Sequence, residues 1–429
     1  MEIYLIGLAV ALVGGLLMSR LTRLLHLPAV TAYLVAGLLL GPFFLGRLNV
    51  PGLGFNTLEE VNVLSIVSQT ALGFIAFAMG NEFRLSQLRT IGSRAIIIGI
   101  LQAVITTIVV DVILLLLHLF FPHIISVPCA ITLGAIAAAT APAATLMVVR
   151  QYKADGPMTR LLMLVVALDD AVGLLLFSVS FGIATALSNG QVSVLAVVVE
   201  PIVEILLSVG LGGFMGLLLH WVERFFHSRS KRMSLSVAFV MLTVGLSMLE
   251  FQIGPVHCGF SLLLVCMMTG TIFCNVCPTS EELMERVDGW TMPLNILFFV
   301  LSGAELDLNI LANPMVLLIG AVYIASRSLG KISGSYVSCK ATRCSEKIQK
   351  YLGITLLPQA GVALGMAAEA AELSDGHMVR NVVLFSVLVY ELVGPTLAKI
   401  SLTAAGEIIP EGRTSARTTN KPEEPVSVK

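Results

Sequence analysis

At 429 residues, 56% of them hydrophobic and only 12% charged, the chain falls far below the roughly 25% charge of soluble domains and reads as a polytopic membrane protein. A net charge of -1 says nothing about nucleic acid, and no basic cluster suggests such a partner, so none is expected. The opening MEIYLIG carries no basic stretch, so no cleaved signal peptide is expected.

Hydropathy predicts thirteen apolar segments: 3–20, 28–46, 60–80, 95–119, 126–149, 161–187, 192–222, 233–251, 257–274, 290–304, 312–339, 351–370 and 380–403. Charge sets their direction. With the N-terminus outside, the inner connections collect Arg20 and Arg23, Arg84, Arg89 and Arg94, Arg150, Lys153 and Arg160, Arg224, Arg229, Lys231 and Arg232, Arg286, Lys340, Arg343, Lys347 and Lys350. Lys399 and four basic residues of the tail complete the inner set, so 22 of the 26 basic residues lie inside and only Arg47 and Arg380 outside. That bias predicts a C-terminus in the cytoplasm and a cell (plasma or inner) membrane location. After about Ala404 the chain turns polar and is read as a disordered cytoplasmic tail with no soluble regulatory domain.

An internal repeat appears along the chain. The third segment ends Phe77-Ala-Met-Gly80-Asn-Glu82-Phe-Arg-Leu85, and the tenth ends Val300-Leu-Ser-Gly303-Ala-Glu305-Leu-Asp-Leu308. Seven spans separate the copies, an odd number, so they run in opposite directions. Two segments after each copy a proline interrupts the helix: Ala139-Thr140-Ala141-Pro142-Ala143 in the fifth, Leu357-Pro358-Gln359-Ala360-Gly361 in the twelfth. Either proline alone is read equally well as a simple kink; matched breaks in inverted halves point to a transporter site where they meet. Thr145, one turn past the first break, belongs to the same region.

The sixth segment holds two adjacent carboxylates, Asp169 and Asp170, about 14 Å past Arg160. Charge near the bilayer midplane costs at least about 2.5 kcal/mol per residue, which makes an acidic pair a functional-site expectation, against the alternative of a neutral carboxyl bonded to a neighbouring helix. Pro142, Asp169, Lys331 and Pro358 all lie about 12 to 14 Å from the inner surface. Lys331 needs a partner at that depth, and the aspartates are the nearest. Arg327, one turn outward, reads either as a second counter-ion or as a side chain that snorkels to the surface.

Other polar residues of the apolar segments and their ends are assigned no role in exchange. Asp111 and His118 share a face of the fourth segment, as a proton entry route or a structural hydrogen bond; Glu82, Glu200, Glu204, Glu305 and Glu391 complete the set. The seven cysteines form no disulfide framework. Cys274, Cys277, Cys339 and Cys344 share the inner side, but their spacing fits no zinc ribbon or knuckle, so they are read as free thiols, with no resident metal and no cofactor.

Together, Leu27-Pro28, Ala36-Gly37-Leu38-Leu39-Leu40-Gly41-Pro42, Ala139-Thr140-Ala141-Pro142, Asp169-Asp170-Ala-Val-Gly-Leu and Gly330-Lys331 resemble the monovalent cation:proton antiporter superfamily, in its second major branch. The resemblance implies an all-α membrane protein with about 13 transmembrane helices, two inverted repeats and crossed broken helices. It implies a homodimer in which a core moves as an elevator past a dimer panel. By position, 1–93 supplies panel helices 1–3, 94–190 core helices 4–6, 191–309 the linker helix 7 and panel helices 8–10, 310–403 core helices 11–13, and 404–429 the tail. The family's cation-binding aspartate maps to Asp170, and its aspartate–lysine pair maps to Asp169 and Lys331. Members with Asp-Asp tend to be electrogenic sodium/proton exchangers, whereas glutathione-gated potassium efflux members usually have Gln-Asp. One departure is Ala141, where the family often has serine or aspartate, which removes a possible side-chain ligand.

The expected function is exchange of Na+ or Li+ for protons, with a potassium/proton exchanger as the main alternative and a cation channel or pH sensor as a further one. An intramembrane aspartyl protease is disfavoured, because adjacent residues on one helix point about 100° apart and cannot face each other.

Overall fold

The computed structural model describes residues 2–24, 28–48, 50, 54–189, 200–249, 251–253, 256–306, 308, 313–370, 373 and 376–408. Residues 191–199, Asp307, most of the expected tail and the side chains of Glu82 and Glu200 lie outside them.

The helices are α1 Glu2–Leu24, α2 Ala29–Leu40, α3 Leu58–Val63, α4 Ser65–Met79, α5 Leu85–Phe120, α6 Val127–Ile136, α7 Pro142–Gln151 and α8 Pro157–Asn189. They continue as α9 Glu200–Glu223, α10 Arg229–Ser247, α11 Leu262–Val276, α12 Ser280–Ala304, α13 Pro314–Ala341, α14 Glu346–Thr355, α15 Gly361–Glu369 and α16 Gly376–Ala405. Every predicted apolar segment contains helix. Eight helices among the described residues are long and apolar enough to cross a bilayer, and Ser65–Met79, Val127–Ile136 and Leu262–Val276 are shorter apolar helices. Leu5, Leu17, Leu119 and Leu206 are largely exposed on the outside of the bundle, as expected of a surface in contact with lipid. The chain is a multi-pass membrane protein. One small feature departs from the all-helical expectation: Phe251–Ile253 (β1) pairs antiparallel with Val256–Cys258 (β2). Gly254-Pro255 stands between them in the sequence.

Both predicted breaks form. Ala141 is extended (φ -81°, ψ 106°) before Pro142, which opens α7, because the proline ring drives its predecessor out of the helical region. On the other side α14 ends at Thr355 and α15 begins at Gly361. The two breaks touch: the Ala141 N–H donates to the Pro358 carbonyl at 2.8 Å.

Helices pair through glycine. A Cβ on Gly37 would stand 1.9 Å from the Val300 carbonyl oxygen, and one on Gly303 would stand 2.2 Å from that of Leu34, so α2 and α12 are in backbone contact. Likewise α11 lies against the end of α4, with a Cβ on Gly270 2.1 Å from the Phe77 carbonyl oxygen. Such small-residue seams let transmembrane helices approach closely. In the other part of the bundle, α13 packs along α5, and α6 and α8 pack against α5 as well.

The stretch just after α16 is more ordered than a polar tail predicts. Gly406 takes a left-handed conformation (φ 84°), its N–H bonds the Thr403 carbonyl and the Glu407 N–H bonds that of Leu402, the Schellman pattern. This turn carries the Glu407 carboxylate to the start of α8, where it accepts from the Met158 N–H, the Thr159 N–H and the Thr159 hydroxyl, each at 2.6 Å. The hydrophobicity pattern does not reveal this clasp, because its two halves are about 250 residues apart in sequence. Glu407→Ala is expected to lower stability by about 1–2 kcal/mol, the range for losing a helix N-cap, while Glu407→Gln loses less. Thermal unfolding of the purified variants in detergent checks this, and equal midpoints for wild type and Glu407→Ala would show the clasp to be idle.

Candidate ion-binding site

The helical periodicity of about 100° per residue sends the two aspartates of α8 in different directions. Asp169 points inward and is fully buried. Its Oδ1 accepts from Gln102 Nε2 of α5, and its Oδ2 accepts from the Thr140 hydroxyl in the first break. Lys331 Nζ of α13 lies 2.8 Å from Oδ2, with both side chains inaccessible to solvent. The ammonium also reaches Gln102 Oε1 at 3.1 Å, Thr140 Oγ1 at 2.9 Å and the Ala138 carbonyl. Lysine and carboxylate are therefore each held by several groups, the condition under which a buried ion pair recovers its desolvation penalty. Of the two aspartates near its depth, Lys331 pairs with Asp169.

Asp170 points elsewhere. Its Oδ1 is buried and has no hydrogen-bond partner. The residue borders a small cavity of about 10 Å³ shared with Ala76 and Met79 at the end of α4, Ala167, and Leu263, Leu264 and Met267 of α11. That volume is about what a single water molecule requires. Apolar walls and one unpartnered carboxylate oxygen make this a place where a small cation or a proton would find its counter-charge.

Arg327 settles the choice left open by the sequence. It is fully buried, so it does not snorkel, and its counter-charge is neither aspartate. Its Nε donates to the Ala137 carbonyl at 3.0 Å, and its two terminal nitrogens donate to those of Ala139 and Leu357 at 2.7 Å each. One guanidinium thus caps the C-terminal ends of both interrupted helices, α6 and α14, where orphan carbonyls and the negative end of the helix dipole call for a cation. The Tyr390 ring covers it, with the guanidinium carbon 4.5 Å from the ring centre.

Gln359, also fully buried, fastens the second break. Its amide donates to the Ile136 carbonyl and the Tyr323 hydroxyl, and its oxygen accepts from Ser386 at 2.8 Å. Ala139, Ala141 and Pro142 contribute backbone and packing at the crossing. Two expected site residues stand aside from the aspartates. Thr145 turns its hydroxyl back to the Ala141 carbonyl of its own helix at 3.4 Å, a bond open to any threonine four residues past a free carbonyl. Gly361 only begins α15.

Among the remaining polar groups, His118 Nδ1 bonds the Ile125 carbonyl at 2.7 Å, the structural alternative for that residue. Asp111 turns an unpartnered Oδ1 against Gly134, and Glu391 is buried with Oε2 unpartnered. The four inner cysteines do not gather: Cys274 and Cys277 pack with Phe77 and Phe273, whereas Cys339 and Cys344 pack in a separate cluster.

Gln102 and Tyr390 are the site residues that sequence reasoning missed. Gln102 with Thr106 and Thr107 at helical spacing, in the apolar 95–119 stretch that also holds Asp111 and His118, is the available signal for the first.

Comparison with known proteins agrees with this architecture. The family model described as "Sodium/hydrogen exchanger, transmembrane" matches residues 8–403, and the chain belongs to that family of transporters. Two solved structures of the sodium proton antiporter MjNhaP1 from Methanocaldococcus jannaschii share the fold. The one determined at pH 8 superposes with a TM-score of 0.64 at 20% identity, covering 94% of this chain and 98% of that one. The electron-microscopy structure gives 0.74 at 18% identity, covering 95% and 98%. Among curated proteins, "K(+) efflux antiporter 5" of Arabidopsis thaliana is 31% identical over 94 residues, which is 22% of this chain and 14% of that relative.

Proposed function

We propose that the protein exchanges a monovalent cation, Na+ in the first place, for protons across the membrane, with Asp170 as the cation- and proton-carrying group. The observation that carries this reading is the unpartnered Asp170 oxygen on a water-sized cavity, beside a buried Asp169–Lys331 pair. A cation entering the cavity replaces a proton on Asp170, and the site cannot hold both. Thr140, the Ala139 and Ala141 backbone, Pro142, Pro358 and Gln359 keep the two breaks in register around the pair, and Arg327 neutralises their carbonyl ends.

Alternating access follows an elevator: a core of α5–α8 and α13–α16 slides past a panel of α1–α4 and α10–α12, with α9 connecting. This division is supported by the position of the Asp170 cavity, which lies between α8 on one side and α4 and α11 on the other. The protein works as a homodimer in the cell membrane, in thirteen spans, with the N-terminus outside and the C-terminus in the cytoplasm. The inner bias of its basic residues supports that orientation.

Two protons per Na+ would move one net charge per cycle, to which a potential of 100 mV contributes about 2.3 kcal/mol. Lys331 is the second carrier in this scheme. Lys331→Gln is therefore expected to lose the charge moved per ion before it loses exchange; an unchanged current per ion would make the lysine structural. The partial likeness to the plant K(+) efflux antiporter favours K+ as the second reading. Reconstitution in vesicles under a clamped potential, with a pH dye and Na+, Li+ or K+ added in turn, separates them. A Na+-evoked pH change that accelerates with the potential supports the first reading, and a K+ response indifferent to potential supports the second.

A further inference from the structure

A second cluster of ligand-bearing side chains stands apart from the aspartates, at the end of α9 and the turn that follows α11. His220, Glu223 and Cys277 are all buried, and one ligand atom from each lies within 4.8 Å of the others. The positions follow from local structure. His220 and Glu223 are three apart on α9, so they share a face, and Cys277 is the C-cap of α11, where the chain leaves the helix and can turn its Sγ toward α9. The cysteine Sγ is 3.8 Å from Glu223 Oε2. Measured along α11, Cys277 is about 15 Å from Met267, which borders the Asp170 cavity.

The polar groups here are unevenly satisfied. His220 Nδ1 is buried without any partner, although the residue is only 8% exposed. Its Nε2 meets an Arg224 guanidinium nitrogen at 2.7 Å, and Glu223 forms an ion pair with Arg232. Cations therefore already occupy the cluster. Arg224 is exposed and free to withdraw to water, and Arg232 keeps a second bond, to Thr279 Oγ1 at 2.9 Å.

We infer that His220, Glu223 and Cys277 form a binding site for a thiophilic divalent cation of the zinc class. One thiolate, one imidazole and one carboxylate are the donor types that such an ion prefers, whereas Na+, Mg2+ and Ca2+ favour oxygen. Tetrahedral coordination sets ligand atoms about 3.5 Å apart, so the three side chains close by about 1 Å. On binding, the Cys277 thiol gives up its proton to solvent and forms the metal–sulfur bond, and Glu223 exchanges Arg232 for the metal. The proton on Nδ1 moves to Nε2 as Arg224 leaves, which frees the Nδ1 lone pair. Three protein ligands leave a fourth position for water. The bound ion would tie α9 to the α11–α12 turn.

The test uses the chelator-treated, full-length protein in detergent with Cd2+ as the probe. One equivalent of Cd2+ per chain is expected to produce a thiolate-to-metal charge-transfer band, to be displaced by Zn2+, and to raise the unfolding midpoint. Cys277→Ser should abolish the band, His220→Gln should weaken Cd2+ at least about tenfold, and Cys344→Ser should leave both readouts unchanged. Should Cys277→Ser not fold, His220→Gln and the wild-type midpoint carry the test. A folded wild type with no band, or a band that survives in Cys277→Ser, overturns the proposal. None of these readouts depends on transport, so they stand or fall apart from the exchange reading.

Discussion

Asp170→Asn is expected to abolish cation-for-proton exchange while leaving the protein as stable as the wild type or more so. The substitution preserves shape, and because Oδ1 has no hydrogen-bond partner, no bond to that oxygen is broken. What disappears is the charge. At a separation of 4 Å and an effective dielectric constant near 20, a unit pair attracts by about 4 kcal/mol, which corresponds to about a thousandfold in cation affinity. Removing a charge from an apolar pocket also relieves a desolvation penalty, so the melting midpoint should not fall. Transport in vesicles and unfolding of the same preparation decide the matter together. Near-normal exchange by Asp170→Asn would remove Asp170 from the mechanism, whereas loss of exchange with loss of fold would make it structural.

A different signature is expected at Arg327, where the fold should fail along with the transport. Arg327→Met keeps most of the side-chain volume and leaves the carbonyls of Ala137, Ala139 and Leu357 without their donor. Hydrogen bonds to a charged group are each worth about 1.5–3 kcal/mol, so a combined loss of about 5 kcal/mol is a reasonable scale. Few domains have stability to spare at that level. Arg327→Lys should recover only part of it, since one ammonium lacks the planar fork that reaches three acceptors. Expression level and melting midpoint are the readouts. A midpoint within a degree or two of wild type for Arg327→Met would mean that water or rearranged backbone can cap the breaks equally well.

How far the sequence reaches is clearest at these residues. Asp169, Asp170 and Lys331 stand out because charge in a long apolar run is conspicuous, and both breaks are legible because proline acts on its immediate neighbours. Depth along a helix can be counted from the nearest basic residue at its inner end, Arg160 for the acidic pair and Lys340 for Lys331, and it brings the two to the same level. Direction around the helix axis is harder. That Asp169 takes the lysine and Asp170 the cavity depends on how α8 is rotated against α5 and α11. The role of Arg327 was ambiguous for a related reason: its partners are backbone carbonyls, which leave no trace in residue identity. Gln102 and Glu407 were overlooked because an isolated polar residue acquires meaning only from a partner brought close by the fold.

The glycine contacts between α2 and α12, and between α4 and α11, carry a mechanical implication. Where backbone meets backbone at van der Waals distance, no rotamer can yield, so each pair behaves as a stiff beam. Around Asp170 the walls are different: Met79, Met267, Leu263 and Leu264, long side chains with several torsions that can give way without breaking a hydrogen bond. The bundle is therefore anisotropic, rigid within its glycine-welded pairs and compliant along one methionine-lined seam. If the core slides past the panel as proposed above, the displacement would be taken up along that seam, past the carboxylate, rather than by bending of the beams on either side.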